Sequence, residues 1–528
     1  MSSSQFVLAF VISILGLGLW KKFQQIDSNL SQLVRGPRSR SWIFGNILDR
    51  RVLLEYEDDG GAYTIKGCLG EKRLMITDPA AMKYIYQHFE QFERPPFEKF
   101  GESVVAGPEN YNIFTARDSL RIKNLMNPAF KPAALRGYVP HFRTVAEKLT
   151  QKWEDLCMHR YPEKIQIDIH KIIHEATLEA AKRAVLGDRS APISDMEVAF
   201  SKNCYNILSK LTGKPTKGAL MTERIFGSIF PQFLLPVLLY IPSERMRTLR
   251  RHNFLMRSFV NEIRAAIVKE WNVEEVGQEC ILDVMKHTGD ETQHDLLEIL
   301  TWQVPILLVA GQDTVGNSIT WALYEFAKNP EWQEQVRNEI IQAQAGKSGE
   351  DSEPALLDQL QYLNAHIKEV LRLYPGAPTI DRIALEDVVL PLASPVQSGD
   401  GTKSISQIPI KRGDRIMVDL AAYNRRHSIW GDDADTFKPS RWLDGSDPGK
   451  STGIGPYANL ATFSGGPRIC IGWRFAILQM QVFLTGCLSK LQLRIPTGVE
   501  VHPVKSFTIY PATQEKEESL PLEIALLN

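Results

Sequence analysis

Near its C-terminus the chain reads Phe463-Ser-Gly-Gly466-Pro-Arg468-Ile-Cys470-Ile-Gly472, and an apolar run from Trp473 to Leu488 follows at once. A cysteine set among glycines lies in a tight turn, and the run behind it has the apolar content of a buried helix. There the sulfur meets free backbone N–H groups and the positive end of a helix starting near Gly472. Both favour thiolate over thiol, and Arg468 adds a positive charge two residues away. A thiolate presented in this way is a metal ligand or a nucleophile; the plainer reading is an inert buried thiol on a glycine turn. The other five cysteines, Cys68, Cys157, Cys204, Cys280 and Cys487, are widely spaced and form no C-x-x-C pair. That pattern excludes a disulfide scaffold and a paired zinc site, and they read as small buried apolar residues.

The 528 residues, 44% hydrophobic and 23% charged, have the composition of a globular protein and exclude disordered or coiled-coil architectures. With 61 Lys and Arg against 62 Asp and Glu, no global positive field recruits nucleic acid. Ala62–Lys66 and Arg73–Thr77 read as strands with glycine turns, and the pattern from Pro79 to Pro354 is mostly helical. Leu120–Met126 ends where Asn127-Pro128 stops a helix. Pro391–Gln407 reads as an exposed loop between strands, and Gly399–Lys403 as a plain turn rather than a phosphate loop.

At the N-terminus, Phe6 to Trp20 is a nearly unbroken apolar run followed by Lys21-Lys22. The charges follow the run and no small-residue cleavage site is present, so a signal anchor is expected rather than a cleaved signal peptide. The expected division is an anchor at residues 1–22 (transmembrane about 5–21), a Gly/Pro linker at 23–50 and one catalytic domain at 51–528. The positive-inside rule places the domain in the cytoplasm. Phe226–Pro242, uncharged but broken by Pro231, Pro236 and Pro242, fits a second span, a core segment or a loop dipping into the membrane surface.

Three further elements accompany the cysteine stretch. Glu369-Val-Leu-Arg372 places both charges on one helix face, Phe437-Lys-Pro439-Ser-Arg441-Trp442 supplies another arginine, and Ala310-Gly311-Gln312-Asp313-Thr314 lies in an apolar helix of roughly Leu296 to Ala327. In this order and spacing they resemble the cytochrome P-450 family, whose pattern F-x-x-G-x-R-x-C-x-G is matched at all five fixed positions. The resemblance covers essentially the whole chain, is most specific from Ala310 onward, and is closest to a fungal microsomal member.

The resemblance implies a P-450 fold, mainly α with small β-sheets (α+β), and haem b with Cys470 as its axial thiolate. Phe463 belongs to the same cofactor-binding stretch. Glu369, Arg372 and Arg441 are implied as the ion network that locks the cysteine loop onto the core. Asp313 and Thr314 are implied as a proton relay to the oxygen site, against the plainer reading of a threonine bonded to its i−4 carbonyl. Arg382 and Arg468 match propionate-binding positions. On the other propionate side the helix before Pro128 departs from the family, with Ser119 and Lys123 where His and Arg are usual; Arg121 is the candidate to compensate. Substrate contacts are expected from Val104–Phe114, Phe226–Pro242, Pro305–Ala310, Pro375–Ile380 and Phe507–Pro511.

The implied activity is a monooxygenase of the endoplasmic reticulum membrane, inserting one atom of dioxygen into a lipophilic small molecule, with fungal secondary (terpenoid) metabolism as the expected setting. The short stretch after Cys470 leaves no room for a fused flavin domain, so a separate NADPH-dependent flavoprotein reductase is the expected partner. The alternatives are a desaturase or isomerase of the same fold, and a membrane-tethered haem-binding protein without turnover.

Overall fold

The computed structural model describes residues 30–39, 41–46, 60–67, 70–107, 116–160, 165–187, 195–205, 207, 232–270, 280–286, 293–345, 353–445 and 449–527, together with Ser13 and Gly16. All of the run Phe6–Trp20 except Ser13 and Gly16, and the linker residues 23–29, 40 and 47–50, therefore lie outside the described residues. Among the described residues no helix is long and apolar enough to cross a membrane.

A five-stranded sheet opens the fold in the order β1-β2-β8-β5-β3. Its strands are β1 (Ala62–Lys66), β2 (Lys72–Ile76), β3 (Phe92–Glu93), β5 (Thr379–Ala384) and β8 (Arg415–Asp419). Only β2 and β8 run parallel; the other pairs are antiparallel. β4 (Ile165–Asp168), β12 (Pro521–Leu526) and β9 (Leu491–Arg494) form a second sheet, and β10 (Val501–Lys505) pairs with β11 (Ile509–Thr513).

Pro391–Gln407, expected as a loop, is largely a hairpin of β6 (Val388–Gln397) and β7 (Ser404–Ile410). Alternate residues Val388, Leu390, Val396, Ile408 and Ile410 are buried, which gives both strands an apolar face. The prolines that suggested a loop are tolerated because each strand has only one neighbour and the register shifts between Pro391 and Val396. The turn itself is Ser398–Lys403, where Asp400 accepts from Ser398 Oγ at 2.6 Å and Thr402 N at 3.0 Å.

The helices that build the body are α1 (Pro79–Gln87), α2 (Pro96–Ala106), α3 (Ala116–Met126), α4 (Pro132–Arg160), α5 (Ile169–Leu186), α6 (Asp195–Cys204), α7 (Glu244–Glu270), α8 (Gln293–Lys328), α9 (Pro330–Ala345), α10 (Gln361–Leu373) and α11 (Trp473–Leu488). α8 is the axis. Leu296, Leu300, Val304, Leu308, Val315, Ile319, Leu323 and Phe326 are buried along its length at a spacing of three to four, against α5, α7 and α11. Midway, however, Ala310 is exposed and Gly311 and Thr314 are half-exposed. α11 spans the residues expected of it and buries Phe475, Leu478, Phe483 and Leu488.

The described part of Phe226–Pro242 is a 3₁₀ helix, Gln232–Tyr240, not a span. Leu235 and Leu238 pack inward, while Val237 and Tyr240 are 60% and 77% exposed.

One buried side chain joins sheet, helix and hairpin. Asp78 caps α1 by accepting from Ala80 N (2.9 Å) and Ala81 N (3.1 Å), and also accepts from Ala393 N (2.9 Å) and Ser394 N (3.2 Å) of β6. Asp78→Ala strands these amides and is expected to cost about 2–4 kcal/mol. A urea unfolding midpoint unchanged from wild type would refute that role.

Candidate active site

The cysteine turn is closed by its own backbone. Cys470 N donates to Phe463 O at 2.9 Å, and a 3₁₀ turn at Gly466–Arg468 carries the chain round. Phe463 is buried beside Tyr457 and Trp473. Gly466 has φ +63°, and a Cβ there would lie 2.5 Å from Tyr86 O, so no side chain fits. Gly472 differs: its φ is −86°, it caps α11, and a Cβ would come no nearer than 3.9 Å, to Phe130.

The sulfur is accessible although protein surrounds it closely enough for burial to be the largest influence on its proton. Burial pushes the Cys470 thiol up; the Gly472 N–H and the Lys123 ammonium pull it down by less. The cation acting on the sulfur is thus Lys123, not Arg468. Lys123, on α3, donates to Pro467 O at 2.9 Å and Ile469 O at 2.7 Å, straddling the turn. Its ammonium is committed to these carbonyls, and Arg121 on the same helix is exposed.

Arg468 turns instead toward a cluster of guanidiniums. Its Nη1 donates to Phe92 O at 3.1 Å and it lies over the Phe89 ring, while its Nε and Nη2 are buried without a hydrogen-bond partner among the described residues. Arg382, 6% exposed on β5, donates to Asp381 O. Burial and the neighbouring Arg94 and Arg468 lower Arg382 to about 9, and burial and Arg94 lower Arg468 to about 10. Arg94 is ion-paired with Glu102, which leaves Arg382 and Arg468 as two desolvated cations matched to an anionic group. A haem fits this donor set: one accessible thiolate for the iron and paired guanidiniums for propionates. Among the described residues no group of three or more His, Cys, Asp or Glu offers a rival metal site. Arg94 was not foreseen; an isolated Arg-Pro-Pro gives no pattern to find it by.

Glu369, Arg372 and Arg441 do come together. Glu369 and Arg372 on α10 are both fully buried, paired through Nε–Oε2 (2.9 Å) and Nη2–Oε1 (2.8 Å). Arg441 Nε donates to Glu369 Oε1 at 3.0 Å, and so do Lys438 N (2.8 Å) and, onto Oε2, Trp442 Nε1 (3.0 Å). Asp433 holds the far side of Arg441 at 2.9 Å. Arg372 also donates to the carbonyls of Asn424, Ala434 and Thr436. The network reaches the cysteine turn through Asn424, whose side chain bonds Ala461 N and Thr462 Oγ1, each at 2.9 Å.

On α8 the two expected relay residues point to different surroundings. Thr314 is half-exposed and donates Oγ1–H to Ala310 O at 2.7 Å, the plainer of the two sequence readings. Gly376 packs against it, a Cβ there lying 3.2 Å from Thr314 Cβ, which brings Pro375–Ile380 beside this residue. Asp313 is fully buried with its carboxyl toward His174 of α5, 3.5 Å away. Other expected substrate segments meet the same helix: Thr508 Oγ1 accepts from Asn317 (3.2 Å) and Ile509 O from Trp321 (3.0 Å). Val105 O is bonded by His252 of α7.

The family model for Cytochrome P450 matches residues 35–519. The chain is 26% identical to Cytochrome P450 monooxygenase 205 of Postia placenta, with 99% of this chain and 97% of that protein covered. It is 26% identical to Cytochrome P450 monooxygenase claO of Ampulloclitocybe clavipes, over 88% of this chain and 86% of that protein. With Cytochrome P450 monooxygenase 219 of Postia placenta it shares 29% identity, over 88% of each chain.

Arg372→Ala leaves Glu369 and Arg441 buried and mispaired, at a cost of about 3–5 kcal/mol. Purified Arg372→Ala protein is expected to carry little haem, read as the ratio of haem to protein absorbance; normal loading would refute the network's role. Gly466→Ala is expected to lose haem rapidly on warming, whereas Gly472→Ala retains it. Equal retention by the two variants would contradict the turn geometry.

Proposed function

The chain belongs to the cytochrome P450 family, and we propose that this oxidoreductase inserts one oxygen atom of dioxygen into a lipophilic small molecule, fed by NADPH through a separate flavoprotein reductase. Haem held by a cysteine thiolate is the family's cofactor, and when bound it supplies the activation of dioxygen. The observation that supports the reading is the accessible Cys470 in a backbone-closed glycine turn, together with the exposed Ala310 and half-exposed Gly311 and Thr314 midway along α8.

In this reading each side chain has a bounded task. Cys470 is the axial ligand, Lys123 and the Gly472 N–H hold the turn and offset the burial of its charge, and Arg382 and Arg468 anchor the propionates. Thr314 keeps its hydroxyl on Ala310 O and so presents its lone pairs to accept a hydrogen bond from the oxygen side. Asp313 holds the proton to be delivered. The largely apolar segments beside α8 exclude water, which favours product over peroxide.

We further assign residues 1–22 as an endoplasmic reticulum anchor with a cytoplasmic domain, on the strength of the apolar run before Lys21-Lys22. The exposed Val237 and Tyr240 fit a second contact with the membrane surface. Oxidation of a terpenoid or other secondary metabolite is the substrate class this reading favours.

The reduced, carbon monoxide-bound protein is expected to show the thiolate-type Soret band, and NADPH with reductase to convert at least one member of a terpene, fatty-acid and aromatic panel to a product one oxygen heavier. A thiolate spectrum with no reductase-dependent NADPH consumption would instead favour a haem-binding protein without turnover. Thr314→Ala is expected to lower product formed per NADPH several-fold; unchanged coupling would remove Thr314 from proton delivery.

A further inference from the structure

The end of α2 is finished by another helix. α2 stops at Ala106, and Gly107 turns the chain away with φ +106°. The last four carbonyls of a helix have no partner within it, so Val104 O and Val105 O need donors from elsewhere. Both residues are buried, at 4% and 7% exposure, where an unbonded carbonyl is costly. α7 supplies the donors from two consecutive side chains. His252 Nε2 reaches Val105 O at 2.9 Å, and Asn253 Nδ2 reaches Val104 O at 3.3 Å. The opposite end of α2 is tied to the sheet instead, through Glu98 to Arg415 of β8 and Lys99 to Glu93 of β3.

The His252 ring is held in one form. It is 0% exposed, and burial pushes it down to about 4, with the bond to Val105 O offsetting part of this, so the ring is neutral at pH 7. A carbonyl only accepts, so the single ring proton sits on Nε2. Nδ1 then accepts from Asn203 Nδ2 of α6 at 2.9 Å, and the ring lies 5.9 Å from that of Phe200 on the same helix. Two residues earlier on α7, Arg250 Nη1 donates to Leu239 O of the 3₁₀ helix Gln232–Tyr240. α2 packs against that 3₁₀ helix and against α8 as well as against α7. One short stretch of α7 therefore fixes two segments expected to face substrate, Val104–Phe114 at its start and Phe226–Pro242 near its end.

We propose that His252 is a specificity-determining positioning residue: with Asn253 it caps α2 from α7, and so sets how far the Val104–Gly107 wall stands from the opened stretch of α8 and how large a ligand fits beside Thr314. His252 acts through Val105 rather than by touching the ligand. Freed from α7, the end of α2 keeps its ties to the sheet but loses what fixes its distance from α8. Bulky ligands then gain room, while a ligand small enough to fit already gains nothing. That this wall faces substrate rests on the monooxygenase reading; the capping of α2 by α7 does not.

The test titrates the haem-loaded protein with imidazole and with the bulkier phenylimidazole, each read as the Soret shift on binding, and follows amide hydrogen exchange in the last turn of α2. His252→Phe keeps the ring volume beside Phe200 but removes both nitrogens. It is expected to speed exchange at the end of α2 about tenfold, and to change the ratio of the two dissociation constants by a similar factor with imidazole binding itself unchanged. His252→Gln, which keeps a donor toward Val105 O, is expected to restore much of the wild-type ratio. Asn253→Leu removes only the Val104 bond and is expected to act in the same sense by less; it carries the test if His252→Phe fails to load haem. A general loosening of the fold would instead alter imidazole binding and the carbon monoxide Soret band along with the ratio. An unchanged ratio in both the Phe and the Leu variants, or a Gln variant as altered as Phe, would overturn the proposal. Azole binding needs no turnover, so a changed ratio in a protein that consumes no NADPH keeps the positioning role and removes the monooxygenase reading, whereas turnover with an unchanged ratio removes the positioning role alone.

Discussion

The fold depends on a buried ion network at the base of α10. Glu369 accepts five bonds, two from Arg372 and one each from Arg441, Lys438 N and Trp442, and Arg372 also donates to three backbone carbonyls. Burying such charges gains little net stability over apolar packing, but each partner removed strands another. The arrangement therefore acts as a geometric lock. Its carbonyl acceptors belong to an irregular segment with no sheet to hold it, and Asn424 transmits that order to Ala461 and Thr462, immediately before the cysteine turn. A ligand turn without regular secondary structure is fixed here by hydrogen bonds from a helix on the opposite flank.

The charges around the site are arranged to be completed by an anion and a cation together. Burial first and then Arg94 depress both Arg382 and Arg468, Arg468 also lowers Arg382, and burial raises the Cys470 thiol. Each is unfavourable for the polypeptide alone, and in the proposed assignment one group would relieve both: propionates would answer the guanidiniums and the iron would take the Cys470 sulfur as thiolate. Cofactor binding thus contributes to the stability of this region by favouring the folded chain.

Much of this was legible from local pattern. Glycines around Cys470, the i, i+3 pair on α10 and the apolar run of α11 are features whose physics is confined to a few residues, and α11 and β1 have the bounds expected of them. What failed to show was long-range. Lys123 reads as a propionate cation because its helix is the right one; that its ammonium reaches Pro467 O and Ile469 O depends on a packing between segments 344 and 346 positions apart. Pro391–Gln407 was misread because prolines signal loops more strongly than the alternation of Val388, Leu390 and Val396 signals a strand. His252 had no signal at all: a histidine within a helix becomes notable only once the end of α2 is seen opposite it.

α8 reconciles two demands that a single helix face cannot meet. In the monooxygenase reading the oxygen side needs an accepting hydroxyl, and the proton store proposed for Asp313 needs a dry setting where a neutral acid is favoured over a carboxylate. Successive residues meet both. Ala310 and Thr314 occupy the opened face, Asp313 lies buried toward His174 of α5, and the hydrogen bond from Thr314 to Ala310 O prevents its hydroxyl from donating where that reading needs it to accept. The roughly 100° between successive residues also sets Asp313 apart from the side of Thr314, so in that reading transfer requires motion of Asp313 or an intervening water rather than simple contact. A glycine at 316 serves the packing between the two helices, because a Cβ there would lie 2.9 Å from Cδ2 of the His174 ring, which rests on the α8 backbone.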